Sequence, residues 1–229
     1  MSVALTRTQI DRLGDRLKKG NFSDADLQQL DAYRRTFAEA YETVIRVLRN
    51  DLTLEPTGRP AKSTTSISEK LRREHIRLTQ IQDIAGCRLV VNDIAEQDRL
   101  IVALTRAFEN AEVVDRRDRP SHGYRAVHVV VTASGKLVEV QIRTSLQHLW
   151  AELSEGLSDV FDKAIKYGGG DEGMQSVLER VSSHVATAES YERESNAQEE
   201  VDARRREIAE ALRSLTDLLG KRLGKGSET

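Results

Sequence analysis

The stretch Arg125–Arg143, RAVHVVVTASGKLVEVQIR, decides the fold, because two apolar and largely β-branched runs lie on either side of a short polar turn. RAVHVVVT and KLVEVQIR have the composition of strands, and ASGK supplies the small, flexible residues of a tight turn. Two such runs joined by a short turn fold back as a hairpin. We therefore predict two adjacent antiparallel strands here.

From Val138 onward the second run alternates between apolar and polar residues. Its two valines and its isoleucine fall on one face of a strand, whereas Glu139, Gln141 and Arg143 fall on the other. The apolar face predicts a buried side. The polar face fits either a solvated surface or a functional wall, and the alternation alone does not separate the two.

Further strands and a helix surround the hairpin. The run CRLVV (Cys87–Val91) and the segment AEVVDRR (Ala111–Arg117) have strand composition, and AEQDRLIVALTRAFE (Ala95–Glu109) between them has helical periodicity. Strands interleaved with a helix and followed by a hairpin favour a mixed sheet. We therefore predict an α+β fold with helices flanking a mixed sheet, rather than a doubly wound one.

Helical segments extend this core at both ends. Apolar periodicity over Thr8–Arg49 predicts a short helix, a break at KKGNFSD and one long amphipathic helix. DLTLEPTGRPAKS reads as a loop, and Ser66 with Glu69 has capping-box spacing for the helix after it. The pattern predicts a helix over Ser145–Phe161 and two polar helices over Met174–Leu223. The predicted organisation is N-terminal helices (1–50), a core (51–170) and a C-terminal helical extension (171–229).

Composition excludes several classes of protein. The 35 basic and 37 acidic residues give a net charge of −2, so the chain lacks the overall basic character of many nucleic-acid-binding proteins. No apolar run approaches the roughly 18 residues of a membrane span. The single cysteine, Cys87, forms no disulfide within the chain, and Met1–Arg7 lacks the apolar core of a secretory signal. We expect a soluble, cytoplasmic protein.

Two carboxylates stand out as candidate metal ligands. Asp83 precedes the strand that contains Cys87, in QIQDIAGCRLVV, and Glu139 lies on the polar face of the hairpin. Mg²⁺ is commonly held by one or two protein carboxylates together with phosphate oxygens and water. Asp83 and Glu139 could supply such a pair, although a carboxylate before a strand also serves simply to brace a turn.

A group of cations precedes Asp83. Arg59 and Lys62 lie in the loop, and Lys70 and Arg73 lie on the helix that follows it. Cations leading into a helix N-terminus suit a polyphosphate, because the terminal N–H groups add to the side-chain charge. Charged helix faces are usually only solvated, and the segment lacks the P-loop pattern. We find no H-E-x-x-H motif, four-cysteine zinc site or G-x-S-x-G elbow.

Four motifs together resemble the synthetase domain of the RelA/SpoT alarmone synthetases, especially the short single-domain forms. They are, in order, TGRPAKSTTSISEKLRRE, IQDIAGCRLVV, SHGYRAVH and VEVQIRTSLQHLWAELSE, within Pro56–Tyr167. The resemblance implies a nucleotidyltransferase-like fold. It also implies a Mg²⁺-dependent pyrophosphokinase that moves the β,γ-pyrophosphate of ATP to the ribose 3′-hydroxyl of GDP or GTP and so makes (p)ppGpp.

The resemblance also implies roles for individual residues. Asp83 corresponds to the family's metal-binding aspartate, and Glu139 to a glutamate that binds metal or activates the acceptor hydroxyl. Tyr124 corresponds to a tyrosine that stacks on the acceptor guanine. The remaining ATP-binding candidates are Arg59, Lys62, Lys70, Arg73 and Arg88. The remaining acceptor-binding candidates are Arg125, His128, Gln141, Arg143 and His148.

Departures from the family pattern leave the acceptor open. Ala126 replaces a common serine, the loop before Gly123 is short, and His148 stands where asparagine or a similar residue is common. One alternative is therefore a toxic pyrophosphokinase that modifies the 3′ CCA end of tRNA. Another is a catalytically silent nucleotide-sensing or partner-binding module. The long C-terminal helices suit a homo-oligomer or an antitoxin partner in either case.

Overall fold

The computed structural model describes residues 5–194 and 198–225. The N-terminal helices are α1 (Arg7–Lys19), α2 (Asp24–Arg35), α3 (Ala38–Arg46) and α4 (Thr64–Glu74), with a π-helical turn at Val47–Asp51. The later helices are α5 (Ile94–Ala107), α6 (Ser145–Val160), α7 (Glu172–Glu194) and α8 (Gln198–Lys225). The strands are β1 (Thr57–Arg59), β2 (Ala85–Val91), β3 (Glu112–Asp115), β4 (Val127–Ala133) and β5 (Lys136–Thr144). Short 3₁₀ turns occupy Leu78–Gln80 and Ile165–Tyr167.

The strands form one mixed sheet in the order β1-β2-β5-β4-β3. The predicted hairpin is confirmed as β4 and β5, joined at Ser134 and Gly135 with φ of 45° and 69°. Positive φ at both central residues is the backbone of the hairpin turn whose twist matches the strands. The predicted α+β class is therefore confirmed.

Strand β1 corrects the prediction of a loop over DLTLEPTGRPAKS. Thr57, Gly58 and Arg59 pair antiparallel with Arg88, Cys87 and Gly86 of β2, respectively. A Cβ on residue 58 would overlap the Tyr41 hydroxyl, so glycine allows the helical layer to approach this strand. The short edge strand places Arg59 and the following lysine beside the start of β2.

The long N-terminal helix predicted from the apolar periodicity is wrong, because it breaks between α2 and α3. Thr36 Oγ1 donates to the Tyr33 carbonyl oxygen at 2.7 Å, and the rings of Tyr33 and Phe37 pack edge to face with centroids 5.2 Å apart. A threonine hydroxyl that bonds back to the preceding turn competes with the helical hydrogen bonds. The apolar spacing continues across the break, so periodicity alone does not reveal it.

The N-cap of α4 is Ser63, three residues earlier than predicted. Ser63 Oγ accepts a hydrogen bond from the Ser66 backbone N–H at 3.2 Å, so Ser66 occupies the third helical position. The predicted capping box of Ser66 with Glu69 is therefore wrong. Since the helix begins earlier, Lys70 lies well inside α4.

The chain divides into two compact units, each containing discontinuous segments. The first contains residues 1–89, 103–112 and 129–141, and the second contains residues 90–102, 113–128 and 142–229. The predicted segment boundaries near residues 50 and 170 each lie inside one unit, so the three-segment organisation stays a prediction. In the second unit α6 packs against α7 and α8 around a buried cluster that includes Leu146, Trp150, Leu178 and Leu212. No helix in the described ranges combines the length and apolar character needed to cross a membrane.

Candidate active site

Three cationic side chains lie around Asp83 in the first unit. We call Asp83, Arg59, Lys62 and Lys70 the aspartate cluster. Lys62 Nζ donates to Asp83 Oδ2 at 2.6 Å, and Lys70 Nζ donates to Oδ1 at 3.0 Å. Arg59 lies farther away, with its Nη2 3.6 Å from Oδ2 and 3.3 Å from the Asp83 carbonyl oxygen. Each carboxylate oxygen therefore faces its own lysine.

Three chain segments place these groups. Arg59 ends β1, and the Lys62 backbone N–H donates to the Ile84 carbonyl oxygen at 2.7 Å, which ties the loop to the residue after Asp83. Lys70 reaches Asp83 from α4, whose start is fixed by the Ser63 cap. The sequence-predicted cations Arg59, Lys62 and Lys70 are thus brought together.

The lysines of the aspartate cluster keep the buried Asp83 carboxylate charged. Burial alone would raise the pKa of Asp83, but the charges and hydrogen bonds of Lys62 and Lys70 hold the pKa at about 2. Burial lowers the pKa of Lys62, and its interaction with Asp83 opposes that shift. The Asp83 carboxylate is therefore ionised at neutral pH although the residue is only 6% exposed.

The other two predicted ATP-binding residues lie on α4 and β2. Arg73, in the last turn of α4, places its Nη2 2.9 Å from Glu74 Oε1. Arg88 lies on β2 opposite Thr57 of β1. Their roles toward ATP stay predictions.

Glu139 lies on β5 with the face pattern that the sequence predicts. Val138, Val140 and Ile142 are fully buried, and Glu139 is 9% exposed. Gln141 Nε2 donates to Glu139 Oε1 at 2.7 Å, so this predicted acceptor-binding residue contacts the glutamate. The amide fixes one carboxylate oxygen of a partly enclosed side chain.

Mg²⁺ binding by Asp83 and Glu139 stays a prediction, and carboxylates are the ligand type that a hard cation takes. Asp83 is ionised, and both Asp83 and Glu139 are nearly buried. Among the described residues no cluster of three or more His, Cys, Asp or Glu side chains could hold a metal alone. A Mg²⁺ ion that takes one or two carboxylates and several phosphate and water oxygens requires no such cluster.

The second unit contains another polar group, which we call the tyrosine cluster: Tyr124, His128 and Arg143. The Tyr124 hydroxyl lies 3.0 Å from His128 Nε2 and accepts from Arg143 Nη2 at 3.1 Å. The Arg143 guanidinium carbon also lies 5.1 Å from the centroid of the Tyr124 ring. These three predicted acceptor-binding residues are brought together, and they fix both the ring and the hydroxyl of Tyr124.

The loop that carries Tyr124 is held by Trp150 of α6 and by Ser182 of α7, and Ser182 lies outside the predicted motifs. Gly123 has φ of 82°, and a Cβ there would come within 2.7 Å of the Trp150 ring. Ser182 Oγ of α7 donates to the Gly123 carbonyl oxygen at 2.6 Å. Arg125 Nε donates to Ser182 Oγ at 2.9 Å. Sequence reasoning missed Ser182, because a serine in a polar helix 57 residues from Arg125 carries no local signal.

Arg125 and His148 have contacts other than the tyrosine cluster. Besides bonding Ser182, the Arg125 guanidinium donates through Nη1 to the Arg117 carbonyl oxygen. His148 Nε2 lies 3.5 Å from Glu152 Oε1, one turn along α6. Direct contact of Arg125 or His148 with an acceptor stays a prediction.

His122 completes the loop from its other end. It has φ of 51° and packs on the backbone of Gly168, where a Cβ would overlap the imidazole ring. The glycine-rich stretch after α6 therefore contacts the same motif that carries Tyr124. The two residues can lie this close because glycine has no side chain at position 168.

The comparisons with known proteins agree with this fold. The profile of the family described as "Region found in RelA / SpoT proteins" matches residues 58–158. The chain is 35% identical over 190 residues to GTP pyrophosphokinase YjbM of Bacillus subtilis, covering 75% of this chain and 79% of that protein. The chain belongs to the RelA/SpoT family.

Solved structures of a small alarmone synthetase are also similar to this chain. The small alarmone synthetase 1 from Bacillus subtilis superposes with a TM-score of 0.52 at 25% identity, covering 90% of this chain and all of that one. The structure of the same synthetase bound to AMPCPP superposes with a TM-score of 0.50 at 29% identity. The match covers 76% of this chain and 98% of that one. Uncharacterized proteins of Mycobacterium bovis and Mycobacterium tuberculosis are 40% identical over 114 residues, which is 48% of this chain. The match spans only 42% of those mycobacterial relatives.

Proposed function

We propose that the protein is a pyrophosphokinase that uses ATP as donor and GDP or GTP as acceptor and makes (p)ppGpp. The observation that carries the proposal is the buried, ionised Asp83 held between Lys62 and Lys70, at 2.6 and 3.0 Å. Lysines and a carboxylate in one cluster suit a polyphosphate and its cation. The relative YjbM, similar over most of both chains, is named a GTP pyrophosphokinase.

The reaction exchanges one phosphorus–oxygen bond for another. The acceptor 3′-oxygen forms a bond to the β-phosphorus of ATP, the bond from that phosphorus to the oxygen bridging to the α-phosphate breaks, and AMP leaves with the electron pair. The hydroxyl proton passes to a base, and Glu139 is the carboxylate that we assign to this step or to the metal. Such transfers depend mainly on positioning and on neutralising charge.

The aspartate cluster would bind the donor. Lys62, Lys70 and Arg59 provide positive charge for the phosphates, and Asp83 with Glu139 would hold Mg²⁺. A bound Mg²⁺ neutralises charge on the transferring phosphates and orients them. The lysines hold the Asp83 carboxylate in place and ionised.

The tyrosine cluster would bind the acceptor. The Tyr124 ring offers a stacking surface for a purine, which is worth about 1–3 kcal/mol per base in nucleic-acid complexes. Arg143 and His128 fix the tyrosine hydroxyl, so the ring is oriented before the base arrives. Pre-orientation lowers the entropy cost of binding.

The alternatives gain no comparable support. Two of the arginines near Tyr124 that could contact an RNA backbone already bind other groups of the protein. Arg117 forms ion pairs with Asp98 and Asp115, each at 2.6 Å, and Arg125 donates to Ser182. A silent module has no need of the paired carboxylates. The cytoplasm, where both nucleotides occur, is the location we propose. A homo-oligomer or antitoxin partner on α7 and α8 stays a prediction.

A transfer assay tests the function. The purified protein is incubated with Mg²⁺, γ-labelled ATP and GDP, GTP or uncharged tRNA, with a parallel series in EDTA. We expect label on the guanosine nucleotide, release of AMP, and no transfer in EDTA. Label on tRNA alone would overturn the proposed acceptor, and absence of transfer to all three would overturn the activity.

A further inference from the structure

Helix α7 presents a buried stripe to the rest of the second unit. Leu178, Ser182, Val185 and Glu189 recur at intervals of four, three and four residues and are 0%, 2%, 1% and 5% exposed. This spacing places them on one face of the helix. Two of the four are polar, so the stripe makes specific hydrogen bonds as well as apolar contacts.

Ser182 contacts the tyrosine loop on both sides of Tyr124. Its Oγ donates to the Gly123 carbonyl oxygen at 2.6 Å and accepts from Arg125 Nε at 2.9 Å. One buried hydroxyl therefore bonds the residue before the tyrosine and the residue after it. Because the Ser182 hydroxyl donates its proton to the Gly123 carbonyl oxygen, the O–H bond has a fixed orientation.

Glu189, two turns further along the stripe, contacts the segment that follows Arg143. The Thr144 hydroxyl donates to Glu189 Oε1, and Gln147 Nε2 donates to Oε2 at 3.1 Å. Thr144 is the N-cap of α6 and directly follows the arginine that bonds the Tyr124 hydroxyl. The same face of α7 thus secures both chain segments from which the tyrosine cluster is built.

The Ser182 bonds add to other contacts of the loop, among them those of Tyr124 with His128 and Arg143, and they are the ones that reach it from α7. Gly123 has φ of 82°, and Ser121 and Tyr124 pair only through one isolated bridge. Trp150 bounds the loop on one side, and its Nε1 donates to the Leu178 carbonyl oxygen at 2.9 Å. Removing the Ser182 hydroxyl takes away the hydrogen-bond partner that the Gly123 carbonyl and the Arg125 guanidinium share. The loss of a hydrogen-bond partner lowers stability more for a buried polar group than for an exposed one, because water cannot replace the partner.

We propose that Ser182 is a positioning residue for the acceptor: through Gly123 and Arg125 it holds Tyr124 in the orientation that a purine base requires. Helix α7 then sets the affinity for the acceptor without contacting ATP. The inference rests on the proposed function and names a residue outside the family-profile match at 58–158. It assigns a part of the C-terminal helices to the binding of acceptor.

Ser182→Ala tests the inference, and Ser183→Ala is its matched control. Ser183 is exposed on the same helix, and its hydroxyl donates back along the helix to the Glu179 carbonyl oxygen at 2.9 Å. We expect Ser182→Ala to raise the KM for GDP about tenfold, as loss of one buried hydrogen bond predicts. The KM for ATP should change less than about twofold, and Ser183→Ala should match the wild type.

The single tryptophan provides a readout that does not depend on transfer. The Trp150 ring centroid lies 6.5 Å from that of Tyr124, so a base bound there should change Trp150 fluorescence. We expect GDP titration to give a Kd raised about tenfold in Ser182→Ala, in line with the KM. A wild type that binds GDP by fluorescence but transfers nothing would overturn the proposed activity and leave this binding test intact.

A near-isosteric variant covers the case in which alanine disturbs folding. Ser182→Cys keeps the shape of the side chain at a slightly larger volume and offers only a weak donor, so we expect GDP affinity between those of the wild type and Ser182→Ala. Thermal unfolding by circular dichroism verifies that both variants are folded. Unchanged GDP binding in folded variants, or equal losses for GDP and ATP, would overturn the positioning role.

Discussion

Gly86 lies so close to Glu139 that a Cβ on residue 86 would approach the Glu139 carbonyl oxygen to 2.7 Å. Gly86 is on β2 and Glu139 on the adjacent strand β5, so the missing side chain allows these strands to approach at the proposed catalytic glutamate. Backbone atoms cannot rotate away as a flexible side chain can. The glycine is therefore part of how Glu139 is placed.

Gly86→Ala should destabilise the fold by about 1–3 kcal/mol, because overpacking must displace a strand. Transfer should fall with it, since the displaced backbone carries Glu139. Urea unfolding and the transfer assay measure the two effects. Gly220→Ala on α8, where a Cβ meets no atom within 4 Å, is the control and should be neutral or slightly stabilising. Equal stability of the two variants would contradict the packing argument.

Glu139→Gln should reduce transfer by a factor on the order of 10²–10³ while the protein stays folded, because the amide can neither accept the proton nor carry the charge that holds the metal. The variant has the same shape as the wild type. Single-turnover assays together with thermal unfolding measure both properties. Transfer within a few-fold of the wild type would remove Glu139 from the mechanism.

Lys62→Met should raise the KM for ATP about tenfold or more and leave the KM for the acceptor nearly unchanged. It should also destabilise the protein by about 1–3 kcal/mol, because Asp83 loses the closer of its two lysines inside the protein. Arg59→Met is the graded comparison, since the Arg59 side chain is 44% exposed and the Lys62 side chain only 11%. A larger stability loss for Arg59→Met would contradict the geometry.

Tyr124→Ala should raise the KM for the acceptor by at least about tenfold with little change in the KM for ATP, because the stacking surface is lost. Tyr124→Phe keeps the ring but removes the hydroxyl that contacts His128 and Arg143, so its effect should be smaller. Steady-state kinetics with each substrate varied in turn separates the two. Equal losses for ATP and acceptor would count against stacking.

Glu189 should make stability fall as pH rises above its ordinary pKa of 4.5. Burial raises the pKa of Glu189 although hydrogen bonds from Thr144 and Gln147 and the charges of Arg205 and Arg125 lower it. The folded protein therefore takes up a proton that the unfolded chain has released, and it loses stability as pH rises through the raised pKa. Glu189→Gln removes this dependence, so the wild type should lose stability relative to the variant as pH rises above 4.5.

Urea unfolding at several pH values measures that difference. Glu179→Gln, at an exposed position on α7, corrects for the loss of one surface charge. A gap between the wild type and Glu189→Gln that widens in favour of the wild type with rising pH would contradict the direction of the shift.

The sequence predicts those parts of the molecule whose signals are local. Alternation in KLVEVQIR predicts the face of Glu139, and the cations before Asp83 predict the aspartate cluster. The three-residue strand β1 is missed, because its pairing of Thr57 with Arg88 is non-local and its flanking prolines indicate a loop. Ser182 is missed for a similar reason, since only tertiary packing brings it to Gly123.

The contact of His122 with Gly168 restricts which residues related sequences can have at these two positions. A side chain at 168 and an imidazole at 122 cannot occupy the same space, so neither position is free to mutate without regard to the other. Gly168 also has φ of 81°, which favours glycine whatever lies at 122, so in related sequences we expect the glycine to be retained even where the histidine is replaced by a smaller residue. The motif SHGYR thus has a contact partner in the KYGGG stretch, and a side chain introduced at 168 should disturb both segments.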